Sequence, residues 1–535
     1  MPKYTLGLDF GTLSARALLV ELPSGREVAT AAHAYRHGVM DEALPSGKKL
    51  PKEWALQHPM DYLESAGITI RQVLAEAEVA SEDIVGVGID FTSCTILPVL
   101  ADGTPLCCLP EYENEPHAYV KLWKHHSAQG QADRINELAK ERKETWLSRY
   151  GGKISSEWVL PKVLEMVEEA PEVYEKTAFI MEAGDWLIWQ LTGSQSASAC
   201  GAGYKALWNR RDGYPSDDFL KAVHPALENF AKDKLCSKVL PLGDKAGEVS
   251  EKGQELTGLA IGTPVAVALI DAHATVAAAG ICEPGKMLDI IGTSACQMVL
   301  TEEEVLVPGI CGVVQDGILP GLFGYEAGQA AVGDIFEWFM ENSLPWHYYQ
   351  EAKERNISTF ELLDEKTSQR MPGESGLIAL DWWNGNRSVL VNANLSGMIW
   401  GLRLSTKPEE IYRALIEATA FGVRKIVETY RESGVPIKEF YAAGGIADKN
   451  SLLLQIYADV LQMPVRVCAA AQASALGASI FGAAVGGAFE SVAEAVAALG
   501  RLKPECYKPD PQRSAVYDGL YQEYLKLHDY FGGVK

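Results

Sequence analysis

Several patterns that would place this chain in a familiar class are absent. No G-x-x-x-x-G-K-[ST] segment occurs, which excludes the P-loop mode of phosphate binding. No run of 18 apolar residues occurs, so we expect no membrane-spanning helix and no membrane partner. The first residues, "MPKYTLGLDF", lack the charged, apolar and small-residue order of a signal peptide. Together these absences predict a cytoplasmic protein.

Positive charge and paired cysteines are also scarce. Lys and Arg number 48 against 71 Asp and Glu, which gives a formal net charge of −23. That balance argues against nucleic acid as a partner, because a phosphate backbone requires clustered Lys and Arg. A nucleotide needs only a local set of donors and is not excluded. The ten cysteines contain no C-x-x-C pair, which favours free thiols in a reducing compartment over a zinc site.

What is present is a large apolar fraction with the periodicity of an α/β protein. The 535 residues, 47% of them hydrophobic, suffice for two to four domains. In "YTLGLDFGTLSARALLVEL" (4–22), apolar residues alternate with Thr5, Gly7 and Asp9, as in a buried strand that leads through a turn to a second strand. A similar strand, "VGVGIDFT", covers 85–92, and helical spacing separates the two.

A third segment, "LDIIGTSACQMVL" (288–300), repeats the strand, Gly-Thr turn and strand. Aligning Gly292 on Gly11 places Ile290 against Asp9, so only the first copy keeps the acid. The spacing of the two hairpins, about half the chain, predicts two duplicated α/β domains. We expect the boundary near 260, with one domain at 1–260, a second at 261–490, and a helical extension at 491–535 that packs on the second domain.

Each Gly-Thr turn can bind phosphate. A turn between buried strands leaves backbone N–H groups facing a cleft, and hydroxyls and a guanidinium add donors. The candidates are Gly11, Thr12, Ser14 and Arg16 in the first turn and Gly292, Thr293 and Ser294 in the second. Asp9 would hold Mg²⁺ through water, because Mg²⁺ dehydrates reluctantly. The alternative is a buried Asp that backbone donors satisfy.

The segment "FYAAGGIADKNSLLLQIYADVL" (440–461) predicts a strand, a Gly-Gly turn and an amphipathic helix with Asp448 as its N-cap. The two glycines would leave room for a flat purine, and an amide nearby could hydrogen-bond the purine edge or the ribose. The candidates for this end of the nucleotide are Gly444, Gly445 and Asn450. The small-residue helix that follows would seal the pocket with Gly477, Ala478 and Ser479.

These segments carry a resemblance to a known group of proteins. "DFGT" at the start, "GTS" at the midpoint and "AAGGIADKNSLLLQIYADVL" late in the chain resemble the sugar-kinase, actin and heat-shock-chaperone superfamily. Within it, 455–459 and 155–193 resemble the two signatures of the FGGY carbohydrate kinases. "KISSEWVLPK", "FTSC" and "VKLWKHH" are most similar to the bacterial ribulokinases. The resemblance covers nearly the whole chain. It implies two duplicated actin/hexokinase-like (ribonuclease H-like) domains around a central cleft, the first binding sugar and phosphate and the second ATP.

The resemblance also implies a catalytic base and three sugar ligands. It places the base at Asp271 in "ALIDAHA", where a carboxylate could accept the proton of a sugar hydroxyl; a helix N-cap is the alternative. It points to Ser93, Lys205 and Glu326 for the sugar, because a polyol needs donors and acceptors on facing walls. For Lys205 and Glu326 the alternative is a surface ion pair.

Aromatic and imidazole side chains near these residues have less specific patterns. Trp123 in "KLWKHH" would pack on an apolar face of the sugar, or it belongs to an ordinary core. We expect His125 and His126 to be solvated helix residues rather than ligands. His273, close to the predicted base, would be a hydrogen-bonding neighbour or a core residue.

The resemblance implies an ATP- and Mg²⁺-dependent kinase that phosphorylates the 5-hydroxyl of L-ribulose in L-arabinose catabolism, with a homodimer as the assembly considered. Ser93 stands where bacterial ribulokinases often carry Ala, so D-ribulose, ribitol and xylulose are alternative substrates. The Met-His-Gly wall of xylulokinases and the Arg-Glu pair of glycerol kinases are absent. A non-catalytic sensor or a chaperone-like ATPase is the rival class, but 491–535 is too short and too mixed in charge for the extra domain either would need.

Overall fold

The computed structural model describes residues 2–533, and its first strand explains why apolar residues alternate with glycine. Leu8 and Phe10 are fully buried on one face. On the other face, a Cβ at Gly7 would lie 1.8 Å from the carbonyl oxygen of Ala475, so only glycine permits this approach of a helix backbone. The strand is therefore covered on both sides.

Thirteen strands precede residue 271 in the described part of the chain. They are β1 (Lys3–Phe10), β2 (Ser14–Leu22), β3 (Glu27–Ala34), β4 (Leu56–Gln57), β5 (Ile84–Phe91), β6 (Ile96–Val99), β7 (Val120–Lys121), β8 (Phe179–Glu182), β9 (Ala197–Ser198), β10 (Val239–Leu240), β11 (Lys245–Glu248), β12 (Pro264–Ala266) and β13 (Leu269–Ile270). The helices of the same part are α1 (Pro59–Ala77), α2 (Gln129–Arg142), α3 (Val159–Glu169), α4 (Pro171–Lys176), α5 (Ala183–Thr192), α6 (Ala199–Lys205), α7 (Asp217–Val223), α8 (Phe230–Lys234) and α9 (Glu251–Thr257).

From residue 271 onward the order begins with a helix. The helices are α10 (Asp271–Ala278), α11 (Gly333–Ser343), α12 (Trp346–Arg355), α13 (Thr359–Ser368), α14 (Pro408–Glu432), α15 (Gly445–Lys449), α16 (Ser451–Leu461), α17 (Ala473–Val485), α18 (Val492–Leu499) and α19 (Pro511–Gly532). The strands are β14 (Lys286–Ile291), β15 (Ala295–Thr301), β16 (Gly312–Gln315), β17 (Phe323–Gln329), β18 (Ile378–Leu380), β19 (Met398–Trp400), β20 (Glu439–Ala443), β21 (Val465–Cys468) and β22 (Leu502–Tyr507).

The two large sheets share one strand order. The first sheet runs β11-β12-β5-β1-β2-β3, with β13 also paired to β5, and the second runs β22-β21-β20-β14-β15-β17-β16. In each sheet an antiparallel hairpin, β1–β2 or β14–β15, uses its first strand to pair in parallel with a later strand, β5 or β20. The predicted duplication is therefore confirmed.

A smaller sheet, β4-β7-β6-β8, has an apolar core of its own; β4 precedes α1, and the other three strands belong to an insertion after β5. This core includes Trp54, Trp146 and Trp158. The loop between β5 and β6 carries Ser93, and the loop after β7 carries Trp123. The insertion thus places two of the predicted sugar ligands at one edge of the first sheet.

The domain boundary expected near 260 is wrong, because the next two strands complete the first sheet. Val265 of β12 pairs with Val87 of β5, and β13 pairs with the end of the same strand. The apolar run that suggested a new domain is buried within this sheet, where α17 packs on β12 and α10 on β13. The second sheet begins only at Lys286.

Helix α17 lies far along the chain but packs on the first sheet, against β1, β2, β5 and β12, and on α10. A Cβ at Gly88 would lie 1.8 Å from the oxygen of Ala478, and a Cβ at Gly477 equally close to the oxygen of Ala274. The prediction that Gly477, Ala478 and Ser479 seal a nucleotide pocket is therefore wrong. They form a close helix contact instead, for which small residues are required.

The extension expected to be helical also contributes a strand, since β22 pairs with β21. Helix α19 packs against α14, α16 and β18, and it buries Tyr517, Tyr521 and Tyr524. The last two residues of the predicted extension, 534 and 535, lie outside the described residues. Within 2–533, no helix has both the length and the apolar character that crossing a bilayer requires. All ten cysteines are free thiols.

Candidate active site

The first turn (residues 11–14) closes the β1–β2 hairpin and is fastened by side chains. The Gly11 N–H donates to the Ser14 carbonyl at 3.0 Å. The Gln57 amide donates to the Thr12 carbonyl at 2.7 Å. Arg16, predicted as a phosphate ligand, pairs across the hairpin with Asp9, with Nη1 2.9 Å from Oδ2. Asp9 is thus not satisfied by backbone donors alone, and its guanidinium partner remains half exposed.

The second turn (residues 292–294) closes the β14–β15 hairpin and is fastened by backbone. The Gly292 N–H donates to the Ser294 carbonyl at 2.9 Å. The Gly333 N–H at the start of α11 donates to the Gly292 carbonyl at 3.0 Å, and the Val332 N–H donates to the Thr293 carbonyl at 2.8 Å. Both turns join antiparallel strands, but the first has four residues between Phe10 and Ala15 and the second has three between Ile291 and Ala295. The groups that hold the two turns also differ.

Three carboxylates meet where strands of the first sheet end. Asp9 and Asp90 are direct neighbours on the parallel pair β1–β5. Asp271 opens α10 immediately after β13, whose Leu269 pairs with Asp90. Ile270 precedes the helix and has no capping side chain, and Asp271 Oδ1 accepts the Ala272 N–H at 2.7 Å, so Asp271 also satisfies one N–H group of the first turn. The topology alone brings these acids to one edge.

The surroundings of two of these acids shift their pKa values upward. Burial, followed by the charge of Asp9, raises the pKa of Asp271 to about 7. Burial, with the charges of Asp9 and Asp271, raises the pKa of Asp90 well above its ordinary value. Both oxygens of Asp90 are buried and lack a hydrogen-bond partner among the described residues. Asp90 was not among the predicted site residues, although the repeated "GIDF" placed it beside Asp9.

Glu326 is the centre of a buried cluster of cationic and imidazole groups. Lys205 Nζ lies 3.4 Å and Arg387 Nη2 2.7 Å from Oε1, and His273 Nε2 lies 3.4 Å from Oε2. Burial alone would raise the pKa of Glu326, but Lys205, His273 and Arg387 outweigh it and hold that pKa well below its ordinary value. The side chains of Lys205 and Glu326 are almost fully buried, so the pair is not a surface ion pair.

The cluster is supported from two further sides. Lys205 Nζ lies 4.7 Å from the ring centre of Trp158, a cation–π contact. His273 is buried and its Nδ1 lies 3.1 Å from Cys200 Sγ, which fits both roles expected for it. Arg387 was not predicted, because it follows no recognisable motif in an irregular loop.

Ser93 and Trp123 take different positions at the edge of the inserted sheet. The Ser93 Oγ is buried and has no partner among residues 2–533. Trp123 is 37% exposed, so it does not belong to a core. Its indole Nε1 donates to Thr12 Oγ1 at 3.1 Å. This bond links the first turn to the predicted sugar wall, by which we mean Ser93 and Trp123.

A cleft of about 770 Å³ runs between the two halves of the molecule. Trp123 and Trp158 line it from the first half, and Thr293, Ser294 and Arg387 line it from the second. The cleft is large enough for a nucleotide and a small polyol. It therefore brings the second turn, Trp123 and Arg387, the partner of Glu326, to one space, while Ser93, Asp271 and Glu326 itself are not among the residues that line it.

The glycines and the amide predicted for the purine end differ in their surroundings. Gly444 has a φ of +95°, and a Cβ there would lie 2.6 Å from the Ile291 carbonyl oxygen, so glycine is required. A Cβ at Gly445 would meet open space. Asn450, by contrast, is buried and is itself the N-cap of α16, because its Oδ1 accepts the Leu453 N–H at 2.8 Å.

The Asn450 side chain is fully used inside the protein. Its Nδ2 donates to Asp364 at 3.2 Å and to Tyr412 at 3.3 Å. The predictions that Asn450 binds the nucleotide and that Asp448 caps this helix are therefore both wrong. An Asn directly before a helix satisfies the unpaired N–H groups of the first turn, and here it does so in place of Asp448.

His125 is also placed differently from the prediction. It is fully buried in a loop, and its Nε2 lies 2.9 Å from Glu165, which also pairs with Lys121. Burial lowers the pKa of His125 to about 4, so the imidazole is neutral near pH 7. His126 remains partly exposed near Glu157.

One group of described residues, His37, His58 and Asp61, has donor atoms close enough to consider a metal. His37 Nδ1 lies 2.8 Å from Asp61, and the His58 ring stacks on the His37 ring at 4.7 Å. Stacked imidazoles direct their lone pairs into separate planes, so they do not converge on one ion. His58 instead accepts the Met60 N–H and caps α1.

Comparison with known proteins gives the same organisation. The chain matches the model for the FGGY family of carbohydrate kinases, N-terminal domain, over 4–278 and the model for its C-terminal domain over 288–485. It is 54% identical to a ribulokinase of Bacillus licheniformis, with 97% of this chain and 95% of that relative covered. It is 52% identical to a ribulokinase of Halalkalibacterium halodurans, with 99% and 95% covered.

Solved structures resemble the whole molecule. A xylulose kinase from Rhodospirillum rubrum is 25% identical with a TM-score of 0.82, and 99% of each chain is covered. A Plasmodium falciparum glycerol kinase with ADP is 16% identical with a TM-score of 0.78, and 98% of each chain is covered. These likenesses confirm the predicted two-domain, actin/hexokinase-like fold. With both halves matched and full-length relatives above 50% identity, the chain belongs to the FGGY family of carbohydrate kinases.

Proposed function

We propose that this kinase transfers the γ-phosphoryl group of ATP to the 5-hydroxyl of L-ribulose, with Mg²⁺, in L-arabinose catabolism. The observation that carries the proposal is the likeness over nearly the full chain to proteins named ribulokinase, at 54% and 52% identity. The geometry of the acids and of the Glu326 cluster supports it. The expected cytoplasmic location and the homodimer stay predictions.

Asp271 is the proposed general base. A pKa of about 7 leaves its carboxylate substantially ionised at neutral pH while keeping it basic enough to accept a hydroxyl proton. Its place at the start of α10 fixes it on a regular element beside the other acids. Positioning and charge stabilisation are expected to supply much of the rate, as in phosphoryl transfer generally.

The Glu326 cluster and the inserted sheet form the proposed sugar site. Glu326 is held ionised and accepts hydrogen bonds, while Lys205 beside it donates them. The unpartnered Ser93 Oγ offers one more group to a hydroxyl, and the exposed face of Trp123 would cover an apolar face of the sugar. Donors and acceptors on facing walls are what a polyol requires.

The two turns are the proposed phosphate-binding elements, and the open space at Gly445 the proposed purine end. A divalent cation fits the acids, because Asp9 adjoins Asp90 and neither oxygen of Asp90 has a partner among residues 2–533. Asp9 would hold Mg²⁺ through water, as Mg²⁺ usually retains several waters. When bound, the ion would neutralise charge on the phosphates.

A coupled assay with purified protein and Mg-ATP tests the proposal. L-ribulose should give a higher kcat/KM than D-ribulose, xylulose or ribitol, and the Asp271→Asn variant should lose roughly 100- to 10,000-fold in kcat. A higher kcat/KM for another sugar would show that the enzyme has a different substrate among those of the family. Retention of most of the wild-type rate in the variant would overturn the role of Asp271.

A further inference from the structure

The two loops that carry Ser93 and Trp123 meet at one buried ammonium group. Lys162 of α3 is fully buried, and its Nζ donates to the Cys94 carbonyl at 2.7 Å and to the Leu122 carbonyl at 2.9 Å. Each of these carbonyls belongs to a residue adjacent in sequence to a proposed sugar ligand. A single side chain therefore fixes the distance between the two loops.

The first of these loops is held in an unusual conformation. Cys94 has a φ of +48°, a left-handed conformation that is uncommon for a residue other than glycine. Such a conformation costs free energy and persists only where the surroundings determine it. Here the Lys162 ammonium binds the carbonyl of Cys94, and Glu182 accepts the N–H of the next residue, Thr95, at 3.1 Å.

The complete burial of the Lys162 amino group needs an explanation, because removing an ammonium group from water costs free energy. Lys162 Nζ donates to two backbone carbonyls rather than to a carboxylate. Its neighbour Lys121 differs, since it pairs with the Glu165 carboxylate and donates to the backbone carbonyl of Lys162 at 3.1 Å. Lys162 therefore uses its N–H donors to hold the two loops together.

We infer that Lys162 is a positioning residue that sets the spacing between Ser93 and Trp123 and thereby restricts which sugar fits between them. The inference rests on the proposed function in one respect, that these two side chains face the sugar. Lys162 does not itself contact the cleft, as its side chain is completely buried.

Kinetics of Lys162→Met tests this. Methionine keeps the length and apolar stem but cannot donate, so kcat/KM for L-ribulose should fall roughly 10- to 100-fold, mainly through the sugar KM, while the KM for ATP stays within about twofold. Discrimination between L-ribulose and D-ribulose should weaken. A variant that folds and keeps the wild-type sugar KM and discrimination would overturn the inference.

Lys121→Met is the matched control, because it removes a buried ammonium from the same region without freeing the Cys94 or Leu122 carbonyl. It should lower the melting temperature but leave the sugar KM within about twofold. An equal rise of the sugar KM in both variants would show general disruption of the insertion and would contradict a positioning role.

Hydrogen exchange tests the same inference without any substrate, and so separates its failure from failure of the proposed function. In Lys162→Met, amides in 92–96 and 120–124 should exchange faster than in the wild type, by roughly tenfold or more. Lys121→Met should leave 92–96 unchanged. Unaltered protection of both segments in Lys162→Met would overturn the inference even if the protein turned out to act on another sugar.

Discussion

The two Gly-Thr turns join corresponding strands of the two sheets, but they differ by one residue in length and in how they are held. The first turn is fastened by the side chain of Gln57 and linked to Trp123 through the Thr12 hydroxyl. The second is fastened by the backbone N–H groups of Val332 and Gly333 at the start of α11. A change in the sugar wall can therefore reach the first turn directly, whereas the second is fixed within its own domain.

Each hairpin has an acid before its turn, but the two acids are not equivalent in position, because Ile290 rather than Asp289 aligns with Asp9. In the first hairpin, Asp9 adjoins Asp90 and faces Arg16. In the second hairpin, Asp289 is fully buried and bound by the amide of Gln297 at 2.8 Å. Burial raises the pKa of Asp289 to about 7. Asp289 is thus an internal packing group, whereas Asp9 is the acid that we propose for the site.

Among the substitutions that test the difference between the two hairpins, Asp9→Asn should reduce activity most. Loss of the charge next to Asp90 should lower kcat roughly 100- to 1,000-fold, the range for removal of one electrostatic contact to a reacting centre. The Mg²⁺ concentration required for half-maximal activity should rise, which a magnesium titration of the initial rate would measure. Asp289→Asn is the matched control and should remain within about twofold of the wild type.

If both variants lost activity equally, the acids of the two hairpins would not be functionally different. That result would remove the asymmetry between the hairpins, since Asp9 and Asp289 would then both act through fold stability.

The acid limb of the pH profile gives an effect of intermediate size. Asp271 must be ionised to accept a proton, and its pKa is raised to about 7. The rate should therefore rise with pH through this range and fall about tenfold for each pH unit well below 7. Measurement of kcat/KM between pH 5 and 9 checks this. A profile that stays flat from pH 6 to 8 would mean that a group with a much lower pKa is the base.

How far the sequence could predict this site depends on the range of the interactions involved. The hairpins could be predicted because alternation, an acid and a Gly-Thr turn are all local. The motif around Asp90 was visible in the sequence, but placing Asp90 beside Asp9 required the parallel register of β1 and β5. Arg387 could not be found, because its partner Glu326 lies about 60 residues away and the loop has no periodicity.

The wrong predictions share a physical cause: each depends on contacts made in the packed structure, which local sequence patterns do not reveal. Asp448 was predicted as the cap and Asn450 as a nucleotide ligand, and only the packed helix shows that Asn450 is the cap. His125 is polar enough for the surface, but Glu165 of α3 stabilises it in the interior. The strands at 264–270 resembled the start of a domain, because an apolar run does not reveal which sheet it completes.

The smallest predicted effect tests the link between the first turn and the sugar wall. Thr12→Val removes the hydroxyl that accepts the Trp123 indole N–H. It should therefore raise the KM for the sugar about threefold and also change the KM for ATP. Thr293→Val should alter only the KM for ATP, because Thr293 lines the cleft and is held through its carbonyl by N–H groups at the start of α11. The double variant Thr12→Val with Trp123→Phe decides the matter. If the hydrogen bond joins the two sites, the two substitutions should be non-additive by about 0.5–1.5 kcal/mol in kcat/KM for the sugar. Strict additivity would mean that the first turn responds to the sugar no more than the second turn does.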